Sequence, residues 1–430
     1  MTRIAHLHAR EVLDSRGQPT IEVELRCANG SGGRAIVPSG ASTGKFEAHE
    51  LRDGDPERYD GRGVRRAIAH IHETIAPRLL GRDPAQQEAI DAELLALDPT
   101  PQKTQLGGNA LLGVSLAAAH AAAAAQGCEL YEHLSQLWQA SAGEARQPAP
   151  PTLPLPMTNM ISGGLHAGGN LDFQDVLIQP VGAPDYPTAL EWIVRVYRRL
   201  GKLLGDAGYE GRLVGDEGGF GPRLQSNRQA IEFVVQAIEH AGLVPGSQVN
   251  LALDVAATHF FADGRYRLAS TGGAVLSAAQ LIDQLAELVD AFPIASIEDP
   301  LAEDDWEGWQ AITRRLSDRV RLVGDDLFTT NATRLQRGIE LQAANAVLIK
   351  VNQIGTLTET FATMRLANRA GYQCVVSARS GETEDSTIAD LAVATGAARI
   401  KIGSIVRSER LAKYNRLLRI AERVATPAWR

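Results

Sequence analysis

From about residue 157 to the C-terminus, short apolar runs alternate with longer stretches of helical character. The runs VNLALD, FPIASIED, RVRLVGDD, NAVLIK and RIKIG are rich in β-branched residues and lack the alternation of a half-exposed strand. Each therefore predicts a buried parallel strand. Up to about Val37 the pattern is different: it alternates, with IEVEL as the clearest strand and NGSGG as a hairpin turn. Between roughly Arg58 and Leu137 it becomes helical, and NALLGVSLAAAHAAAAAQG predicts a helix closed by Gly127 whose alanines allow close packing. The segment SAGEARQPAPPTLPLP, rich in proline and small residues, separates the two patterns. Expected domains are residues 1–137, an α+β cap; residues 138–156, a linker; and residues 157–430, an α/β unit of the (β/α)8 TIM barrel type.

Composition narrows the function. The 430 residues carry a net charge of −8, with no Lys/Arg block to override it, which argues against a nucleic-acid partner. The three cysteines, Cys27, Cys128 and Cys374, are far apart and odd in number, arguing for a reducing compartment and against a disulfide framework. Cys374, inside QCVVS, reads as a buried structural thiol. MTRIAHLHAR has no apolar core for a signal peptide, and no stretch is expected to span a bilayer, so no membrane partner is expected and the cytoplasm is the default location.

The strand ends carry the chemistry. Asp254, Glu298 and Asp325 each end a run, and Lys350 and Lys401 follow in the same way. Charges at the carboxyl ends of successive barrel strands converge on one mouth. A single such acid is more often a helix cap or an ion pair, but three together would repel unless a cation lay between them. Oxygen ligands without histidine or cysteine suit Mg2+ rather than zinc. Lys350, between an apolar run and VNQIGT, is placed for a general base; Lys401 taken alone is weak evidence. VGDEGGF puts Asp216 and Glu217 beside two glycines; one of the pair is expected at the site, with a plain loop as the alternative. SARSGETED offers Arg379, Ser380 and a turn as an anion cradle, or else a salt-bridged surface loop. The glycine-rich loops VPSGASTGKFEA and ISGGLHAGGN fit neither a P-loop nor a dinucleotide fingerprint. They suggest lids, with His166 as a candidate contact to an anion.

These residues resemble the enolase (phosphopyruvate hydratase) family. The blocks AREVLDSRGQPTIEVEL, VPSGASTGKFEAHELRDGD, GDEGGF, LALDVAA, IEDP, VGDDLF, LIKVNQIGTLTE, RSGETEDSTIADLAV and RSERLAKYN are similar to the family's own, in its order, over nearly the whole chain. The resemblance implies an α+β N-terminal capping domain followed by an enolase-type modified (β/α)8 barrel, and reversible dehydration of 2-phospho-D-glycerate to phosphoenolpyruvate in glycolysis. It implies two Mg2+ per active site: one on Asp254, Glu298 and Asp325, the second helped by Ser42 and the substrate phosphate. Lys350 would take the C2 proton, Lys401 would stabilise the enolate, and Glu217 would protonate the departing hydroxyl. Arg379 and Ser380 would hold the phosphate, with His166 closing over it and Gln174 touching the small anionic substrate. A homodimer or higher homo-oligomer is implied only by resemblance.

Three positions depart from the family. Ala378 stands where histidine precedes the Arg-Ser pair, Asp175 where glutamate follows the glutamine of the first barrel strand, and Ser162 where asparagine precedes the lid. Ala378 and Asp175 would both make room on the hydroxyl-leaving side of the substrate. Two readings therefore compete: a divergent enolase, or a paralogue dehydrating a larger phospho- or phosphonoglycerate, of the kind that yields carboxyphosphonoenolpyruvate in phosphinate antibiotic pathways. A third, a non-catalytic binding protein on the same fold, is disfavoured by the retention of Lys350, Glu217 and three carboxylates together.

Overall fold

A computed structural model describes residues 2–40, 44–140, 150–270, 272–425 and 429. The chain opens with an antiparallel sheet of β1 (Ile4–Leu13), β2 (Pro19–Cys27) and β3 (Gly32–Ile36). The Asp14 carboxylate closes the first turn by accepting from the backbone N–H groups of Arg16 and Gln18, each at 2.8 Å. Against β2 and β3 lies the alanine-rich helix Gly108–Gln126. Gly33 makes that approach possible: a Cβ there would sit 2.2 Å from the Ala121 nitrogen and 2.4 Å from the Ala117 carbonyl oxygen. The helix ends at Gly127 in the left-handed conformation, φ 68°, which glycine adopts without a Cβ penalty.

One expectation needs correcting here. By length and composition the Gly108–Gln126 helix is apolar enough to cross a bilayer, with an 18-residue stretch of mean hydropathy 1.3, but 83% of that stretch is buried inside the protein. It is apolar on every face because it packs on several sides: against the sheet, the helices Gln87–Leu97 and Leu130–Ala140, and the helices Val351–Ile354 and Leu357–Arg369 beyond the barrel strands.

The second unit is a closed barrel of β4 (Leu155–Ser162), β5 (Asp175–Gln179), β6 (Asn250–Asp254), β10 (Ile294–Glu298), β11 (Arg321–Gly324), β12 (Ala346–Ile349), β13 (Gln373–Ser377) and β14 (Arg399–Gly403). Strands β7 (Phe261–Ala262), β8 (Arg265–Leu268) and β9 (Ala274–Leu276) form a separate small sheet. Seven of the barrel strands run the same way, while β5 is antiparallel to both β4 and β6. The connectivity explains this. No crossover helix separates β4 from β5, and the two helices Tyr186–Asp206 and Asn227–His240 return the chain to the rim it left. Asp175 therefore opens the second barrel strand, not the first as read from the sequence. Because β5 descends, Asp175 still starts at the carboxyl rim, paired in register with Asp254.

Met157, Leu177, Ala252, Val323, Ala346, Leu348 and Val375 fill the barrel as an apolar plug. It carries the charged rim above it.

Candidate active site

Strand ends place the charged residues. Asp254 and Glu298 close β6 and β10, Asp325 follows β11, and Lys350 follows β12. Lys401 differs from the sequence reading: it is the third of five residues in β14, not its end. It is paired in register with Met157, so the pleat turns it into the barrel, where its long side chain reaches up to the acids.

The amines lie between the carboxylates. Lys401 Nζ donates to Asp254 Oδ2 at 2.6 Å and to both Glu298 oxygens at 2.9 Å, while Lys350 Nζ is paired with Asp325 Oδ2. All three acids are at most 8% exposed. Burial and the neighbouring Asp254 charge push the Glu298 carboxyl well above its usual range. Asp325 is held low because Lys350 outweighs its burial, and Asp325 in turn raises Lys350 against the pull of desolvation. The space left is about 30 Å3, room for little more than one water.

The surrounding residues fix these groups. Gln174 donates to Asp254 Oδ2 at 3.1 Å, and Gln353 donates to Asp325 Oδ1 at 2.9 Å. Asp299, held at φ 39°, accepts from the backbone N–H groups of Asp325 at 2.9 Å and Asp326 at 2.8 Å. One group of acidic oxygens that comes within 4.8 Å is Asp299, Asp325 and Asp326, which shares only Asp325 with the trio read from the sequence. Asp299 follows β10, and the loop after β11 brings Asp325 and Asp326 onto it through their backbone N–H groups, while Lys401 engages Asp254 and Glu298.

Across the site, His166 Nδ1 lies 3.0 Å from Asp175 Oδ2, and its Nε2 lies 3.8 Å from Glu217. Burial opposes a charge on His166, but Asp175 and Glu217 overcome it and lift the imidazole to about 9. Burial likewise opposes ionisation of Glu217, yet His166, Arg410 and the two lysines bring it down to about 2. Of the GDEGGF pair, Glu217 lines the cavity and Asp216 does not. Asp175 stands behind His166 rather than on the wall, tied also to Asn159, whose Nδ2 reaches Ser162 Oγ at 3.0 Å. Ser162 is thus behind the site, whereas Ala378, 5% exposed, is on the wall beside Arg379 and Ser380. Ser42 lies outside the described residues.

The Arg379–Ser380 segment is supported from below. Arg410, fully buried, donates to the carbonyl oxygens of Arg379 at 2.6 Å and Ser380 at 2.7 Å. Lys413 Nζ holds Glu382 at 2.6 Å, and Glu382 accepts from the Arg379 N–H at 3.0 Å. Arg379 itself pairs with Glu47 of the N-terminal unit at 2.9 Å and with Asn352 at 2.9 Å.

Glu47, Asn352, His259, Asp299, Asp326, Arg410 and Lys413 were not singled out from the sequence. Most lay within blocks already noted, but nothing in their spacing shows that loops so distant in the chain meet.

The donor set fits a hard divalent cation. Asp254, Glu298 and Asp325 offer only oxygens, they come from adjacent strands, and these buried carboxyl groups already face the ammonium groups of Lys350 and Lys401. Two family models match the chain: the enolase N-terminal domain over residues 4–134, and the enolase C-terminal TIM barrel domain over residues 150–429.

Proposed function

The chain belongs to the enolase family, and on that premise we propose that it dehydrates 2-phospho-D-glycerate to phosphoenolpyruvate through an enolate. The observation that carries this reading is the single buried cavity in which Lys350 and Lys401 meet Asp254, Asp325, Glu217 and the Arg379–Ser380 segment. Asp254, Glu298 and Asp325 would hold one magnesium ion, and Ser42 would help hold a second. Bound there, magnesium would polarise the substrate carboxylate and offset the negative charge that develops on it.

Lys350 takes the C2 proton, and the C–H electron pair spreads over the substrate carboxylate. As an ammonium paired with Asp325 it cannot do so; Asp325 must first release it, which lowers its pKa. Lys401 stays charged and faces the enolate oxygens. Glu217 gives its proton to the C3 hydroxyl, which leaves as water as the C2–C3 double bond forms. The cations that hold Glu217 ionised would be partly neutralised by a phosphate and a carboxylate, so an anionic substrate favours its protonated form. Arg379 and Ser380 bind the phosphate, with His166 over it.

Ala378 on the wall is the observation behind a second reading, dehydration of a bulkier phospho- or phosphonoglycerate. The test is phosphoenolpyruvate formation by the purified protein with Mg2+, beside a variant carrying Ala378→His and Asp175→Glu. Turnover at ordinary enolase speed in the parent removes the motive for the bulkier substrate. Turnover only in the double variant overturns the first reading.

A further inference from the structure

Arg399 and Lys401 are two residues apart on β14, so both project into the barrel, one toward each rim. Lys401 meets the carboxylates at the carboxyl rim. Arg399, 9% exposed, meets no carboxylate at the amino rim among the described residues. Its Nε donates to Gln179 Oε1 at 2.9 Å and its Nη1 to Gln373 Oε1, both neutral amides at the lower ends of β5 and β13. Nη2 has no partner among the described residues.

Beside it opens a cavity of about 530 Å3, within the range of small-molecule sites. Arg321, at the foot of β11, brings a second guanidinium to this cavity, and the polar side chains of Ser247, Asn250 and Ser317 line it. Among the described residues, Asp318 is the one acid in the lining, and it is exposed; Arg319 is turned to Asp290 at 2.7 Å. Burial and the Arg321 charge press Arg399 down to about 10, so it remains a cation at neutral pH. A buried charge facing a like charge, with only amides as partners, is costly unless an anion joins it. A barrel that needed only to plug its base could do so with another amide.

We propose that this amino-rim cavity binds a small dianionic oxyanion, gripped by the guanidinium groups of Arg399 and Arg321. The chemistry suits a phosphate group or a dicarboxylate, since both present the paired oxygens that a guanidinium fork matches.

The test is calorimetric titration of the intact protein with inorganic phosphate and, separately, with succinate, in Mg2+. The parent, Arg399→Gln and Arg321→Gln are compared. Arg321→Gln leaves the barrel hydrogen bonds of Arg399 untouched, so its fold is not at issue. The expected result is two classes of anion site in the parent. One class is weakened about tenfold or more in each variant, with the active site unaffected. Stronger binding of phosphate marks a phosphorylated ligand, and of succinate a dicarboxylate; either supports the proposal. If the parent shows a single class that both variants retain, the proposal is overturned.

Discussion

His166 Nδ1 lies 3.0 Å from Asp175 Oδ2, and this contact, backed by Glu217, fixes a proton on the imidazole at neutral pH. His166 titrates at about 9 in the folded protein, against 6.5 for an ordinary histidine. A raised pKa contributes stability that is complete below the ordinary value and lost as pH climbs through the folded one. Stability measured by denaturant should therefore fall between about pH 6.5 and 9. Asp175→Asn should flatten that fall and return the imidazole toward its ordinary titration, as read by NMR. An unchanged His166 titration in that variant would remove Asp175 as the cause.

Lys401 is the counterion of Asp254 and Glu298. Lys401→Met should leave two buried carboxylates facing each other and cost about 3–5 kcal/mol in chelator. Added Mg2+ should recover part of that loss, because the same oxygens would bind it. Urea midpoints with and without metal decide this; equal losses in both conditions would argue against a shared cation site.

Lys350→Ala should slow exchange of the C2 proton of 2-phosphoglycerate by about 10^2–10^4-fold or more. Magnesium binding by calorimetry should persist. Exchange at the parent rate would assign the base elsewhere.

Lys413→Met should strand the buried Glu382 carboxylate and cost about 3–5 kcal/mol. Glu382 also holds the Arg379 N–H, so the apparent affinity for substrate phosphate should weaken as well. Stability lost with KM unchanged would separate this network from the cradle.

Gly33→Ala forces a methyl group against the backbone of the Gly108–Gln126 helix, at Ala121 and Ala117. Backbone atoms cannot rotate aside, so the cost should reach the upper part of the roughly 1–3 kcal/mol seen for overpacking. The thermal midpoint measures it, and an unshifted value would show that the helix stands further off.

The barrel strands were legible because burial on both faces removes polar alternation, and the rim was legible because a charge must end such a run. VNLALD and FPIASIED show both features. Lys401 was less legible, since a lysine inside RIKIG can be read as an end or as an inward-facing residue; only the closed barrel distinguishes them. Asp175 was assigned to the wrong strand because nothing in ISGGLHAGGN shows that the chain turns back after only a single 3-10 turn, Gly164–Ala167, with no crossover helix. The Gly108–Gln126 helix shows the reverse: its apolarity was plain, but what covers it was not.

By itself the sequence determined which residue types lie at the strand ends, because hydrophobic periodicity and charge are local properties of the chain. The tertiary structure decided which of them touch. Lys401 meets Glu298, Arg379 meets Glu47, and Arg399 meets only amides among the described residues; each pairing depends on barrel closure or on docking between the two units. Coulomb forces between side chains depend on distance in space, and distance in space is what a linear chain does not carry.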